Sequence, residues 1–288
     1  MNLFDQLVSL AAKRQAGLIP LRSVVEKELL HHDILREMNQ AGLLGRLTFI
    51  GGTCLRMCYN SKRLSEDLDF TGGRDFNETM LSDMGRILPD MFRAKYGLET
   101  QVQEPIRETS RVHTWGVKIV TRPEEKHLPI QRINIDVCAI PSHDQRPMML
   151  RNHYGVDMGT SGLILRAQSR EEILADKVVA LAFRPNRMKN RDLWDIGWLK
   201  QQNVELPVKL VPIKVADHRK TPDEFIRLLS ARLKLLSGDQ SARADFVGEM
   251  QRFLPVSIVE DTVAKPDFWQ YLTRLVREEC NQVFATMK

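Results

Sequence analysis

One segment constrains this chain more than any other: Phe49 to Phe70 reads FIGGTCLRMCYNSKRLSEDLDF, a glycine pair followed by two aspartates one residue apart. Leu47 to Ile50 is a short apolar, partly β-branched run, Gly51-Gly52 breaks it, and Thr53 to Tyr59 resumes as an apolar-rich segment. The pattern predicts strand, tight turn and helix start. Such a turn brings bare backbone close to whatever lies over it, and the unpaired N–H groups of the helix's first turn point there too, which favours anions such as phosphates. Thr53 has two roles open to it, capping that helix or offering its hydroxyl to a phosphate oxygen.

A polar turn, Asn60 to Glu66, carries Lys62 and Arg63 and leads into Asp67-Leu68-Asp69-Phe70, where acidic and apolar residues alternate. Period two predicts a strand with Asp67 and Asp69 on one face, their side chains about 6–7 Å apart and mutually repulsive unless a cation lies between them. Magnesium, with manganese as the alternative, suits that pair because it binds one or two carboxylates and keeps its other positions for water and phosphate. The plainer reading is a solvated sheet edge. Ile133-Asn134-Ile135-Asp136-Val137 is a second alternating strand, with Asn134 and Asp136 on its polar face. If it pairs beside Asp67 to Phe70, Asp136 completes a three-carboxylate site for two metal ions, which can clamp the attacking and leaving oxygens of a phosphoryl-type displacement.

Further along, Ser169 to Phe183 has a capping residue, acids in its first turn and Ile173, Leu174, Val178, Leu181 and Ala182 at helical spacing, so an amphipathic helix is expected. Lys177 lies close to its apolar stripe, where a lysine can simply snorkel to solvent. Arg184 to Arg191 is a basic loop that Pro185 separates from the helix. Arg191-Asp192-Leu193-Trp194-Asp195-Ile196 then opens another helix, whose acidic first turn suits the helix dipole.

Strand, Gly-Gly, spacer, Asp-x-Asp and a later strand aspartate together resemble the polymerase-beta-type nucleotidyltransferase superfamily, with a spacer slightly longer than its commonest form. Within it, GGTCL, RLSEDLDF, ILADKVVAL and KNRDLWDI in that order are most similar to the AbiEii/AbiGii-type nucleotidyltransferase toxins, over about Ile50 to Leu199. The resemblance implies a magnesium-dependent transfer of a nucleoside monophosphate from a triphosphate, GTP among the candidates, to an acceptor hydroxyl. It implies RNA, such as the tRNA 3′ end, as acceptor, and the role of toxin beside a cognate antitoxin protein. Asp67, Asp69 and Asp136 are then the metal ligands and, with Lys177 and Asp192, the catalytic set. Gly51, Gly52, Thr53, Arg63, Ser65 and Lys177 are the nucleotide-binding set, although Arg63 and Ser65 also suit a polar turn on their own account. Two other classes stay open: nucleotidylation of a small molecule or protein, and a non-catalytic triphosphate-binding module.

The expected fold class is α+β, a small mixed nucleotidyltransferase sheet flanked by helices and followed by a C-terminal helical domain, divided as residues 1–165 and 166–288. Strands are expected at Thr48 to Ile50, Leu68 to Thr71, Thr100 to Gln103, Arg111 to Thr121 and Ile133 to Ile140. Helices are expected over Leu3 to about Asn39, Asn77 to Tyr96, Ser169 to Phe183, Arg191 to Gln202, Thr221 to Ser237, Ser241 to Phe253 and Asp267 to Thr286. A helical domain against such a sheet would leave a cleft for nucleotide and acceptor. In the last of those helices the stripe Trp269, Tyr271, Leu272, Leu275 and Val276 reads as packing.

At 288 residues, two domains or an extended core are expected. No apolar run approaches the roughly 20 residues that span a bilayer, and Asp5 interrupts the amphipathic start, so neither membrane span nor signal peptide is expected. Four scattered cysteines, Cys54, Cys58, Cys138 and Cys280, read as reduced, mostly buried thiols of a cytoplasmic protein. His31-His32 lacks zinc-ligand spacing. The net charge of +5 and a pI near 9.0 favour phosphate-rich partners without requiring them.

Overall fold

The computed structural model describes residues 2–14, 16–105, 111–125, 129–184, 188–236 and 240–287. Pro185, Asn186 and Arg187 of the basic loop, and Ser237 at the end of an expected helix, lie outside the described residues. The chain divides into two compact units, Met1–Gln168 and Ser169–Lys288. No helix among the described residues is long and apolar enough to cross a membrane.

In the first unit the expected single N-terminal helix is two: α1 (Leu3–Arg14) and α2 (Arg22–Gln40), joined by a 3₁₀ turn at Ala16–Leu21. Pro20 lies inside that turn and cannot donate to an α-helical ladder, which is why the run breaks there. There follow β1 (Thr48–Ile50), α3 (Gly51–Tyr59), β2 (Leu68–Thr71), α4 (Met84–Tyr96), β3 (Thr100–Gln103), β4 (Val112–Ile119), β5 (Gln131–Cys138), β6 (Gln145–Met149) and β7 (Ile164–Gln168). The expected helix from Asn77 is split: a 3₁₀ turn at Glu78–Leu81, capped by the Asn77 side chain, precedes α4.

The strands form one sheet in the order β3-β4-β5-β2-β1-β7-β6. β2 runs parallel to β5 and β1 to β7, and the other neighbours are antiparallel. Phe49, Leu68, Phe70, Trp115, Val117, Ile133, Ile135 and Val137 fill one face and are almost fully buried. On that apolar unit α2 packs against β5 and α4, and α4 against β3. Burying alternate residues of β2 and β5 leaves Asp69, Asn134 and Asp136 on the other face.

β6 and β7 were not expected from periodicity. β6 is one of the two edge strands and contains Pro147, a residue tolerated at an edge but one that argues against a strand in the sequence.

The second unit is helical: α5 (Arg170–Phe183), α6 (Asn190–Gln201), α7 (Leu210–Asp217), α8 (Pro222–Leu236), α9 (Gln240–Met250), the single turn α10 (Val256–Ile258) and α11 (Pro266–Met287). Ser169 caps α5 by accepting the Glu172 N–H at 3.1 Å. α5 is the centre of this unit, packed against α6, α7 and α8 through Ile173, Leu174, Val178, Leu181 and Ala182. The unexpected α7 holds Pro212 at its third position, where a missing N–H costs nothing. Trp269, Leu272 and Val276 of α11 are buried packing residues, with Tyr271 and Leu275 half-buried beside them.

Candidate active site

Parallel pairing of β2 and β5 sets Asp69 directly beside Asp136, and Leu68 beside Ile135. Neighbouring strands lie about 4.8 Å apart, so the two carboxylates share one small area of the sheet's polar face. Asp67 comes immediately before β2, and its Oδ1 accepts the backbone N–H of Asn134 at 3.1 Å. Thr114 on β4 donates its hydroxyl to Asp136 Oδ1 at 2.6 Å. All three aspartates are half-exposed, Asp69 and Asp136 on strands and Asp67 in the bend just before β2.

Gly51 opens α3 with φ +75, and a Cβ there would fall 2.8 Å from Asp69 Oδ2. Only glycine takes that backbone conformation without strain and leaves room for the carboxylate. At Gly52 an added Cβ would meet the Arg63 guanidinium at 2.1 Å, so this second glycine lets a buried cation reach the start of α3. Arg63 Nη1 also donates to the Leu64 carbonyl at 2.9 Å. Ile50, the residue before α3, supplies no capping side chain, and the first-turn N–H groups keep the partial positive charge of a helix start.

Thr53 is not the cap that its position suggested: the helix begins two residues earlier, at Gly51, because glycine can itself take the entry turn. The Thr53 hydroxyl donates instead to the Asp67 carbonyl and lies 2.6 Å from Ser65 Oγ. Since a carbonyl only accepts, Ser65 supplies the proton between the two hydroxyls. Both side chains thus tie α3 to the turn that delivers Asp67.

The donor set can be tested against a divalent cation. Asp69 and Asp136, adjacent on one polar face, supply hard oxygen ligands of the kind that magnesium or manganese takes, and Asp67 comes just before β2. Among the described residues, however, no group of three or more His, Cys, Asp or Glu is gathered as a ready-made metal cage. Magnesium characteristically binds through one or two carboxylates together with substrate phosphates, a demand that adjacent Asp69 and Asp136 meet.

Lys177 and Asp192 belong to the second unit and meet there. Lys177 Nζ lies 2.6 Å from Asp192 Oδ1 and 2.8 Å from Asp195 Oδ2, while Arg184 reaches Asp192 Oδ2 at 3.1 Å. Burial alone would raise the Asp192 pKa, but Lys177 and Arg184 outweigh it and hold the carboxyl down at about 2. Lys177 therefore does not snorkel; it is buried against two carboxylates. Asp195, fully buried, is an ion-pair partner rather than a mere helix-start acid.

The family model of the nucleotidyl transferase AbiEii toxin of type IV toxin–antitoxin systems matches residues 33–274. The chain belongs to the AbiEii family. It is a nucleotidyltransferase toxin of a type IV toxin–antitoxin system, which implies a nucleoside triphosphate substrate and an antitoxin counterpart. Among solved structures it is similar to MenT4, a nucleotidyltransferase toxin from Mycobacterium tuberculosis H37Rv, at 17% identity and TM-score 0.57, over 98% of this chain and 99% of that one. It also aligns with JHP933 from Helicobacter pylori at 17% identity and TM-score 0.42, over 91% of this chain and 99% of that one. At such identity the MenT4 likeness shows the fold. No curated protein matches the chain.

In this AbiEii chain a buried polar group, overlooked in the sequence, holds the turn before Asp67 from behind. Glu28 of α2 accepts the Ser65 N–H at 2.9 Å, pairs with Arg56 Nε at 3.0 Å and accepts the Tyr154 hydroxyl. Arg56 Nη1 donates to the Ser61 carbonyl at 3.0 Å, His31 Nε2 lies 3.1 Å from the Glu66 carbonyl, and Lys27 pairs with the Glu66 side chain at 3.0 Å. Burial pushes the Glu28 carboxyl up, yet Arg56 and the bonds from Tyr154 and Ser65 bring it below its ordinary value. A faint signal was present: Glu28 and His32 fall on the same helical stripe as Val25 and Leu29, core positions for an acid and a histidine.

Proposed function

We propose that this AbiEii-family chain moves a nucleoside monophosphate from a triphosphate to a hydroxyl of RNA, such as the tRNA 3′ end, in a magnesium-dependent reaction in the cytoplasm. The observation that carries this reading is the register of Asp69 beside Asp136 on adjacent parallel strands, with Gly51 opening the space over Asp69.

Asp67, Asp69 and Asp136 would hold divalent metal, which when bound supplies charge neutralisation at the oxygens that attack and leave. Gly51, Gly52 and the first turn of α3 receive phosphate, with Arg63 adding positive charge beside Gly52. Thr53 and Ser65 keep that turn in place. The acceptor hydroxyl oxygen bonds to the α-phosphorus, the bond from that phosphorus to the α,β-bridging oxygen breaks, Asp136 takes the hydroxyl proton, and pyrophosphate leaves. Lys177 and Asp192 enter the proposal through the order of the family motifs, with Lys177 as a phosphate contact and Asp192 fixing its charge and direction.

The test is incubation of purified protein with each labelled triphosphate, magnesium and total RNA. Labelled RNA and released pyrophosphate are expected, both abolished by Asp69→Ala. Label on protein or on an added small molecule would move the acceptor to those classes. Intact triphosphate with every acceptor, in the presence of binding, would leave a nucleotide-binding module.

A further inference from the structure

The polar face that holds the aspartates continues into a strip that the proposed chemistry does not use. On β4 and β5, Thr114 stands opposite Asp136, Gly116 opposite Asn134 and Lys118 opposite Arg132; on β3, Gln103 stands opposite Gly116 and Gln101 opposite Lys118. Strand alternation puts all of these on the face of Asp136, while Trp115, Val117, Ile133 and Ile135 fill the core behind them. Gln101, Gln103, Arg132 and Asn134 are exposed and Lys118 half-exposed.

Lys118 and Arg132 are the unexpected pair. Directly opposed antiparallel residues have Cβ atoms about 5 Å apart, and like charges so placed destabilise a sheet. Among the described residues no acid forms an ion pair with either, and their neighbour on β3 is a glutamine. An anion lying across both would remove the repulsion. The strip also has a direction: Arg132 is four residues before Asp136 on β5, about 13 Å along the strand. Gly116 between them raises no side chain, and the amides of Gln103 and Asn134 offer donors and acceptors on either side of it.

We propose that this strip is a phosphate subsite for a single-stranded nucleic-acid acceptor, whose reacting hydroxyl lies at Asp136 and whose neighbouring phosphates rest on Lys118 and Arg132. The inference rests on the nucleotidyl-transfer reading above. A strand that presents its hydroxyl at the aspartates must run away from them, and the two cations begin where the carboxylates end. Phosphate contacts of this kind position a strand without reading its sequence.

The full chain is titrated into a fluorescein-labelled single-stranded RNA of about 12 nucleotides, and anisotropy is followed as salt rises from about 50 to 200 mM. Each phosphate contact on a single strand contributes about 0.7 to the slope of log affinity against log salt, so K118Q/R132Q should lower that slope by about 1.4 and weaken binding about tenfold. The KM for triphosphate should stay unchanged, the thermal midpoint should hold or rise as the opposed charges are removed, and the charge-preserving K118R/R132K should bind like the unaltered chain. An unchanged slope in K118Q/R132Q, or no RNA binding by the unaltered chain, overturns the proposal. Poly-glutamate displacing the RNA as effectively as unlabelled RNA would assign the strip to an acidic protein instead. Asp69→Ala separates the two levels: if it still transfers nucleotide the reaction reading falls, while the salt slope of K118Q/R132Q continues to decide the strip.

Discussion

Gly51→Ala puts the proposed active-site geometry under a controlled strain. The residue sits at φ +75, so alanine costs about 1–2 kcal/mol of backbone energy whatever surrounds it. Its methyl group would lie 2.8 Å from Asp69 Oδ2 and 3.3 Å from Asp69 Cβ and Cγ, closer than side chains tolerate, so the carboxylate must move by several tenths of an ångström. Catalytic constellations lose roughly 10²-fold for a misplacement of 1 Å, so a loss of about 10- to 100-fold in nucleotide transfer is expected. Gly42→Ala is the matched control, with φ +74 and nothing within 4 Å of the added Cβ. Both variants should lose similar stability in urea, and only Gly51→Ala should lose transfer rate. Equal rates in the two variants would refute the claim that Gly51 exists to make room for Asp69.

Two further outcomes test the supporting structure. Glu28→Ala leaves Arg56 buried without its carboxylate, so unfolding by urea should cost about 3–5 kcal/mol less, with the milder Tyr154→Phe losing about 1 kcal/mol; near-native stability of Glu28→Ala would remove the buried pair from the account. Asp192, held at about 2 against an ordinary 3.8, contributes about 2 kcal/mol that is fully present above the ordinary carboxylate range and lost as pH falls through about 2. Lys177→Met should move that acid loss to higher pH in a stability-versus-pH series, and an unchanged acid limb would show that the ion pair does not set it.

Much of the local structure was legible because its signals are local. The strand, glycine break and helix of Thr48 to Tyr59, the alternation in β5, and the capped amphipathic α5 all follow from periodicity and turn chemistry within a dozen residues. The pairing of Asp69 with Asp136 was a condition that the sequence posed without answering, since register across 67 residues is set by the apolar face of the whole sheet. The break between α1 and α2 follows from Pro20, which apolar spacing alone does not register, and α7 has only eight residues with a proline in its first turn, too short a stretch for a clear period. Glu28, Arg56 and Tyr154 were invisible as a group because they come from separate elements and only folding brings them together. Of the two roles open to Thr53, capping fails because the position of a cap depends on where the helix starts, and the paired glycines shift that start.

If the β2–β5 register builds the transfer site, pyrophosphate release by Asp69→Asn and Asp136→Asn beside the unaltered chain, with magnesium, triphosphate and RNA, reads that register out in activity. Metal-dependent release by the unaltered chain, a loss of at least about 10²-fold in each variant and unchanged thermal midpoints are expected, since both side chains are half-exposed. Sustained release by either variant would contradict a transfer site built on that register.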